Sequence, residues 1–338
     1  MQKNDSEKYP LLQNPKNNNS NILKIKDVII KSKVILAPMA GITDSVLRKL
    51  VRKYSPNCLV MSEMVSSEAL LMNKENAIIK HEKSEYPLSF QLSGHKIDIM
   101  KKAAKKLEEI ATTIDINMGC PAPKIVKNAD GSALMQNIPL AKDLVKALKD
   151  TVDVPITVKT RLGWDIPSMN YLEFSLAMQE AGADAIMIHG RTRSQMYSGN
   201  ADWEKIAEIK KELHIPTIAN GDIVDIDSAK KCLDITKCDG IAIGRGILGD
   251  VELISRIEHF LETGETTPPP NIYRRIELLK AHLEQEMSLR GELFGIKFMR
   301  KFFAYYIKNI KGASNYRYEL VRATDKETIY KILSEIHE

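Results

Sequence analysis

Cys120 sits in the setting that most invites chemistry: Asn117-Met118-Gly119-Cys120-Pro121, directly after the run Ile114-Asp115-Ile116. A cysteine between glycine and proline at the end of an apolar run sits on a stiff loop rather than in a core, where it can face a ligand. An ordinary thiol, with a pKa of about 8.5, is mostly protonated near neutral pH and can act as a general acid. A nucleophilic role would want a paired base, and no Cys–His dyad is evident. Cys58, Cys232 and Cys238 show no C-x-x-C spacing, so neither a zinc site nor a disulfide framework is expected.

Further candidates fall at the ends of other apolar runs. Pro38-Met39-Ala40 leaves room for a flat heteroaromatic ring, and Gln91 offers its edge both donors and an acceptor. Lys159 would stabilise negative charge beside such a ring, and His189 closes another run. Asn220-Gly221-Asp222 and Gly244-Arg245-Gly246 let backbone N–H groups approach a phosphate, with Arg245 adding a charged hydrogen bond. Singly, each has a bland alternative: a capping amide, a surface cation, a packed imidazole, a glycine turn. Their recurrence at successive strand ends is what argues for a site.

The elements that must position these residues are eight short apolar runs at 33–38, 58–62, 87–92, 113–117, 155–160, 185–189, 216–220 and 240–244. Amphipathic stretches such as 97–110, 140–151 and 169–181 lie between them. Short, apolar, non-alternating strands suit a parallel sheet covered on both faces, and eight β–α units in order predict a closed (β/α)8 TIM barrel. In such a barrel the polar strand ends converge on the C-terminal rim.

Residues 1–23 are rich in Asn and Lys and lack the apolar core of a secretory signal, so they are expected to be a flexible N-terminal extension. Residues 24–264 then form the catalytic barrel. The run Thr266-Thr267-Pro268-Pro269-Pro270 is a stiff linker. Beyond it, helical periodicity at 273–289, 297–310 and 326–336 predicts a small all-helical domain over 271–338. Within 290–318 seven basic residues face one acidic residue, a clustered excess that suits a phosphate backbone. No apolar run approaches the roughly 18–20 residues of a membrane span. A cytoplasmic monomer, free of membrane and metal, is expected.

These motifs resemble those of the tRNA-dihydrouridine synthases, especially the bacterial B-type branch. The resemblance rests on Ala37-Pro38-Met39-Ala40-Gly41-Ile42-Thr43-Asp44, the Asn117–Pro121 loop with Gly131-Ser132-Ala133-Leu134-Met135, and Val158-Lys159-Thr160-Arg161. His189-Gly190-Arg191-Thr192-Arg193, Asn220-Gly221-Asp222 and Gly244-Arg245-Gly246 extend it. It implies FMN held by Pro38, Met39, Ala40, Gln91, Lys159, Asn220, Gly221, Asp222, Gly244 and Arg245, with His189 near the ring. It also implies NADPH as reductant, hydride delivery to carbon-6 of a uridine in the D-arm of tRNA, and Cys120 as the acid for carbon-5. Asn117, Arg191, Arg193, Arg300 and Lys301 are the expected tRNA contacts, and the barrel is expected to hold FMN without the tail. Phe302, Tyr305 and Asp130 depart from the family pattern, which has His, Trp and a small residue there. The competing reading is an FMN-dependent dehydrogenase of a free pyrimidine, which would have no use for the basic tail.

Overall fold

The computed structural model describes residues 21–74 and 78–337, so residues 1–20 of the expected extension lie outside the described residues. Among the described residues ten strands occur: β1 Leu23–Ile25, β2 Val28–Ile30, β3 Val34–Leu36, β4 Leu59–Ser66, β5 Leu88–Ser93, β6 Thr113–Asn117, β7 Ile156–Arg161, β8 Ala185–His189, β9 Thr217–Asn220 and β10 Gly240–Ile243. Strands β3 to β10 pair in parallel, each with the next in sequence, and β10 closes onto β3. All eight predicted runs are barrel strands, and the fold is the (β/α)8 TIM barrel.

Successive side chains of a strand point to opposite faces, so each run divides between two cores. Val34 and Leu36 pack outward against the helices, whereas Ile35 joins Leu59, Met61, Ala185, Met187, Ile218 and Ala242 in the interior. The expectation of non-alternating strands fails for β5, β6 and β7. Phe90, Ile114, Ile116 and Val158 pack outward. Gln91, Asp115, Asn117, Thr157 and Lys159 lie on the opposite, inner face. Three strands thus line the barrel interior with polar side chains, while the other five contribute an apolar cluster.

The hairpin β1–β2 has no counterpart among the predicted strands. Its Leu23, Ile25 and Ile30 join the interior core and plug the N-terminal end of the barrel. Asn21 ties it down, accepting from Lys33 N at 3.1 Å and donating to Glu262 at 3.2 Å.

The helix Ser45–Tyr54 shows how the outer layer forms. Asp44 caps it by accepting from Leu47 N at 3.1 Å, Val46, Leu47, Leu50 and Val51 form its buried face, and Arg52 and Lys53 end it. Downstream of the irregular run at 265–271, helices Ile272–Arg290 and Glu292–Tyr306 fold back on one another around Gly291. Where they cross, a Cβ on Gly295 would stand 2.7 Å from Met287 Cα, so only glycine permits the approach. The second helix starts and ends earlier than predicted, and a further helix, Ala313–Leu320, precedes the predicted last one at Lys326–Ser334.

This tail is docked on the barrel. Gly249, after β10, has φ +78°, and a Cβ there would lie 2.2 Å from the carbonyl oxygen of Tyr305. Lys301 Nζ donates to the carbonyl of Gly41 in the loop after β3, while Arg290 pairs with Asp44 at the end of that loop.

Candidate active site

At the C-terminal rim the strand ends surround a cavity of about 690 Å³. Pro38, Met39 and Ala40 follow β3, Gln91 lies on β5, Asn117 ends β6 with Cys120 beyond it, and Lys159 lies on β7. His189 ends β8, Asn220, Gly221 and Asp222 follow along β9, and Gly244 and Arg245 follow β10. All of them line this one cavity. Arg191, Arg193, Arg300 and Lys301 do not.

The Cys120 loop is fixed from several sides. Asn117 Oδ1 accepts the backbone N–H groups of Cys120 at 2.9 Å and Gly119 at 3.2 Å. Ser132 donates its hydroxyl at 2.9 Å and its N–H at 3.1 Å to the Cys120 carbonyl. Behind Asn117 runs a chain of side-chain hydrogen bonds. Asn117 Nδ2 donates to Gln91 Oε1 at 2.8 Å, Gln91 Nε2 donates to Asp115 at 2.8 Å, and Thr157 Oγ1 donates to Asp115 at 2.6 Å. A carboxylate only accepts, so Asp115 dictates which way each amide faces. Burial pushes the Asp115 carboxyl up to about 6, against the hydrogen bonds from Thr157 and Gln91.

The opposite wall is cationic. Lys159 Nζ donates to Asn220 Oδ1 at 3.1 Å, and burial with Arg161 alongside pulls its pKa down to about 8. Arg161, 3% exposed, donates to the carbonyls of Gly119, Thr192 and Met196, each at 2.9 Å, and so links the Cys120 loop to the loop after β8. Burial, then the Arg161, Lys159, Arg191 and Arg245 cations, hold His189 well below its ordinary pKa, as a neutral ring. Arg245 is the cation that reaches toward solvent. Its guanidinium stacks 4.4 Å from the Tyr197 ring centre and lies 3.7 Å from Asp222.

The expected tRNA contacts are placed differently from the cavity-lining residues. Arg191 is 2% exposed, and four of its five N–H groups are taken by Ser198 O, Gly199 O, Asp222 and His189, which turns it away from any phosphate at the rim. That expectation is corrected: converging acceptors have drawn this cation inward. Arg193 stacks on Trp164 at 4.4 Å. Arg300 Nη2 lies 3.4 Å from the Ala323 carbonyl, and Lys301 is engaged with Gly41 and, at 3.4 Å, the Phe298 ring. Asn117 alone of the five borders the cavity.

Asp115 and Tyr305, like Arg161, have no role in the sequence-based expectation. Asp115 carried a signal, a charged residue alternating with Ile114 and Ile116, which marks an inward polar position. Tyr305 stood out only as a departure from the Trp of the family pattern. It is 40% exposed and reaches the cavity wall from the helical tail.

The cavity suits a planar phosphorylated cofactor. Gly244 borders it, and a Cβ there would meet nothing closer than Met39 Sδ at 3.6 Å, so the protein's own packing leaves that space to a ligand. Lys159 and Arg245 supply positive charge, while Gln91 and His189 supply polar edges. Among the described residues no cluster of His, Cys, Asp or Glu could hold a metal ion, and no helix is long and apolar enough to cross a membrane.

Comparison with known proteins agrees with this architecture. The family model described as dihydrouridine synthase (Dus) matches residues 35–337. A probable tRNA-dihydrouridine synthase 1 of Synechocystis sp. is 40% identical over 300 residues, 88% of this chain and 84% of that protein. A tRNA-dihydrouridine synthase B of Shewanella oneidensis is 40% identical over 281 residues, covering 82% of this chain and 87% of that one. Among solved structures, 6-hydroxypseudooxynicotine amine oxidase of Pseudomonas geniculata N1 shares the fold, with TM-score 0.55 and 12% identity, over 72% of this chain and 49% of that chain.

Proposed function

The chain belongs to the dihydrouridine synthase family, and we propose that it reduces uridines in the D-arm of tRNA to 5,6-dihydrouridine in the cytoplasm. The observation that carries this reading is the convergence of Cys120 with Gln91, Lys159, His189 and Arg245 on one cavity. FMN, reduced by NADPH, supplies the hydride for carbon-6 of the uracil when bound.

The chain's own residues do the rest. Lys159 and Arg245 bind negative charge, and Gly221, Asp222 and Gly244 frame the phosphate end. Gln91 and Asn117 orient ring edges with amides whose direction Asp115 sets. Cys120 holds a proton at Sγ for carbon-5 of the uracil. A uracil reaches this depth only when extruded from its stack, and the apolar cavity wall excludes water around it. The exposed cations Lys297, Lys308 and Lys311 of the tail meet the tRNA backbone.

The test is nucleoside mass spectrometry of tRNA from a strain lacking the gene, mapped to position, with restoration by the purified protein and NADPH. Unchanged dihydrouridine in that strain, together with no product from unmodified tRNA in vitro, would remove the proposal.

A further inference from the structure

We propose that Arg191 is a positioning residue that fixes His189 as the Nδ1–H tautomer, so that the cavity presents a neutral hydrogen-bond donor there and selects the acceptor-bearing edge of a planar heteroaromatic ring. Arg191 Nη1 lies 3.3 Å from His189 Nε2. A guanidinium has five donors and no acceptor and stays charged in proteins, so this contact requires the lone pair on Nε2. Burial and the surrounding cations keep the ring neutral. A neutral imidazole with its lone pair on Nε2 carries its proton on Nδ1.

The remaining geometry holds both partners in place. Nδ1 has no hydrogen bond to any described residue, yet it is not among the fully enclosed polar atoms that lack one, so it opens on the cavity that His189 lines. The ring packs so tightly on Gly221 that a Cβ there would stand 2.8 Å from His189 Cδ2 and 3.2 Å from Nε2. Arg191 cannot swing away, because Ser198 O at 3.1 Å and Gly199 O and Asp222 Oδ2, both at 2.6 Å, hold its other N–H groups. Arg191 therefore acts on a bound ring only through His189. A ring edge carrying N–H groups would face Nδ1–H donor to donor and lose a hydrogen bond in a buried place.

That the selected ring is a flavin rests on the function proposed above; the tautomer does not. The experiment is nitrogen-15 NMR of the full-length chain with labelled histidine, with and without FMN, His189 being identified by its loss in His189→Gln. The expected result is a protonated Nδ1 and an unprotonated Nε2 in the wild type, a pattern lost or mixed in Arg191→Met, with FMN affinity at least tenfold weaker in that variant. An Nε2–H wild type overturns the proposal without any variant, and so does an Arg191→Met protein that keeps the wild-type pattern. A wild-type Nδ1–H tautomer in a protein that binds no FMN would sink the flavin reading and leave the tautomer standing.

Discussion

Arg290 of the helical tail and Asp44 of the barrel meet at 2.6 Å, and Asp44 closes the loop that carries Pro38, Met39 and Ala40 into the cavity. Arg290 also holds Glu286 at 2.7 Å, and Lys301 takes the Gly41 carbonyl in the middle of the same loop. Tyr305 completes the wall from the same helix as Lys301. The tail therefore supports the wall of the cavity as well as presenting basic charge.

Truncation after Glu265 is accordingly expected to weaken FMN retention, against the expectation from sequence that the barrel suffices. A milder probe is Arg290→Ala, which removes charged hydrogen bonds from Asp44 and Glu286. It should cost about 1.5–3 kcal/mol of stability and speed FMN loss. Thermal melts and flavin release by fluorescence measure both. Unaltered FMN release from Arg290→Ala would mean that the loop after β3 holds its shape without the tail.

Asp115 carries a stability signature with a definite sign. Its folded pKa of about 6 exceeds the unfolded value of about 3.9. The folded state thus binds this proton more tightly, and the group's contribution falls as pH rises from about 4 to about 6, then stays level. Two units correspond to roughly 2–3 kcal/mol. Asp115→Asn keeps an acceptor for Gln91 and a donor for the Thr157 hydroxyl. It should melt higher than wild type at pH 7.5, and the gain should shrink as pH is lowered through 6 toward 4. A difference in melting temperature that does not vary with pH would show that Asp115 does not titrate in this range.

Sequence and structure agree where burial on both faces forces a simple pattern. The barrel strands could be located because each is a short run rich in β-branched or apolar residues ending in a polar tag, even where β5, β6 and β7 alternate, and the tags named many of the cavity-lining residues. What stayed hidden was of another kind. The strands of the β1–β2 hairpin are only three residues long, with Lys24 inside the first and Lys26 just after it, too short and too charged to stand out as strands. Arg191 looked like any rim cation, because nothing in its neighbourhood along the chain announces that Asp222, Ser198 and Gly199 will close over it. Tyr305 and Lys301 lie far along the chain from the loops they touch, beyond the reach of periodicity.

Cys120→Ala should retain FMN and still oxidise NADPH with an external acceptor, since neither requires a proton at carbon-5. Dihydrouridine formation should fall by roughly 10²–10⁴-fold, with little rescue by Cys120→Ser, whose hydroxyl is a much weaker acid. Single-turnover reaction of the pre-reduced variant with tRNA gives the rate directly. A wild-type rate would assign the proton to another group.

Arg245→Ala should weaken FMN binding by about 1.5–3 kcal/mol, the loss of one charge-assisted hydrogen bond. Asp222 should tolerate the change, because Arg191 and the Ala201 N–H continue to bond it at 2.6 and 2.7 Å. Equilibrium dialysis reads the affinity, and an unchanged value would take Arg245 out of the phosphate end.

The contact between Gly249 and Tyr305 bears on how such a protein can be re-engineered. With a carbonyl oxygen 2.2 Å from where a Cβ would stand, barrel and tail are joined by backbone against backbone, without the side-chain slack that lets modules be exchanged. A chimera that imports a relative's tail to retarget the enzyme to another site must carry the matching turn at 249 with it. Swapping the tail alone would test the fit of that seam before it tested recognition of RNA.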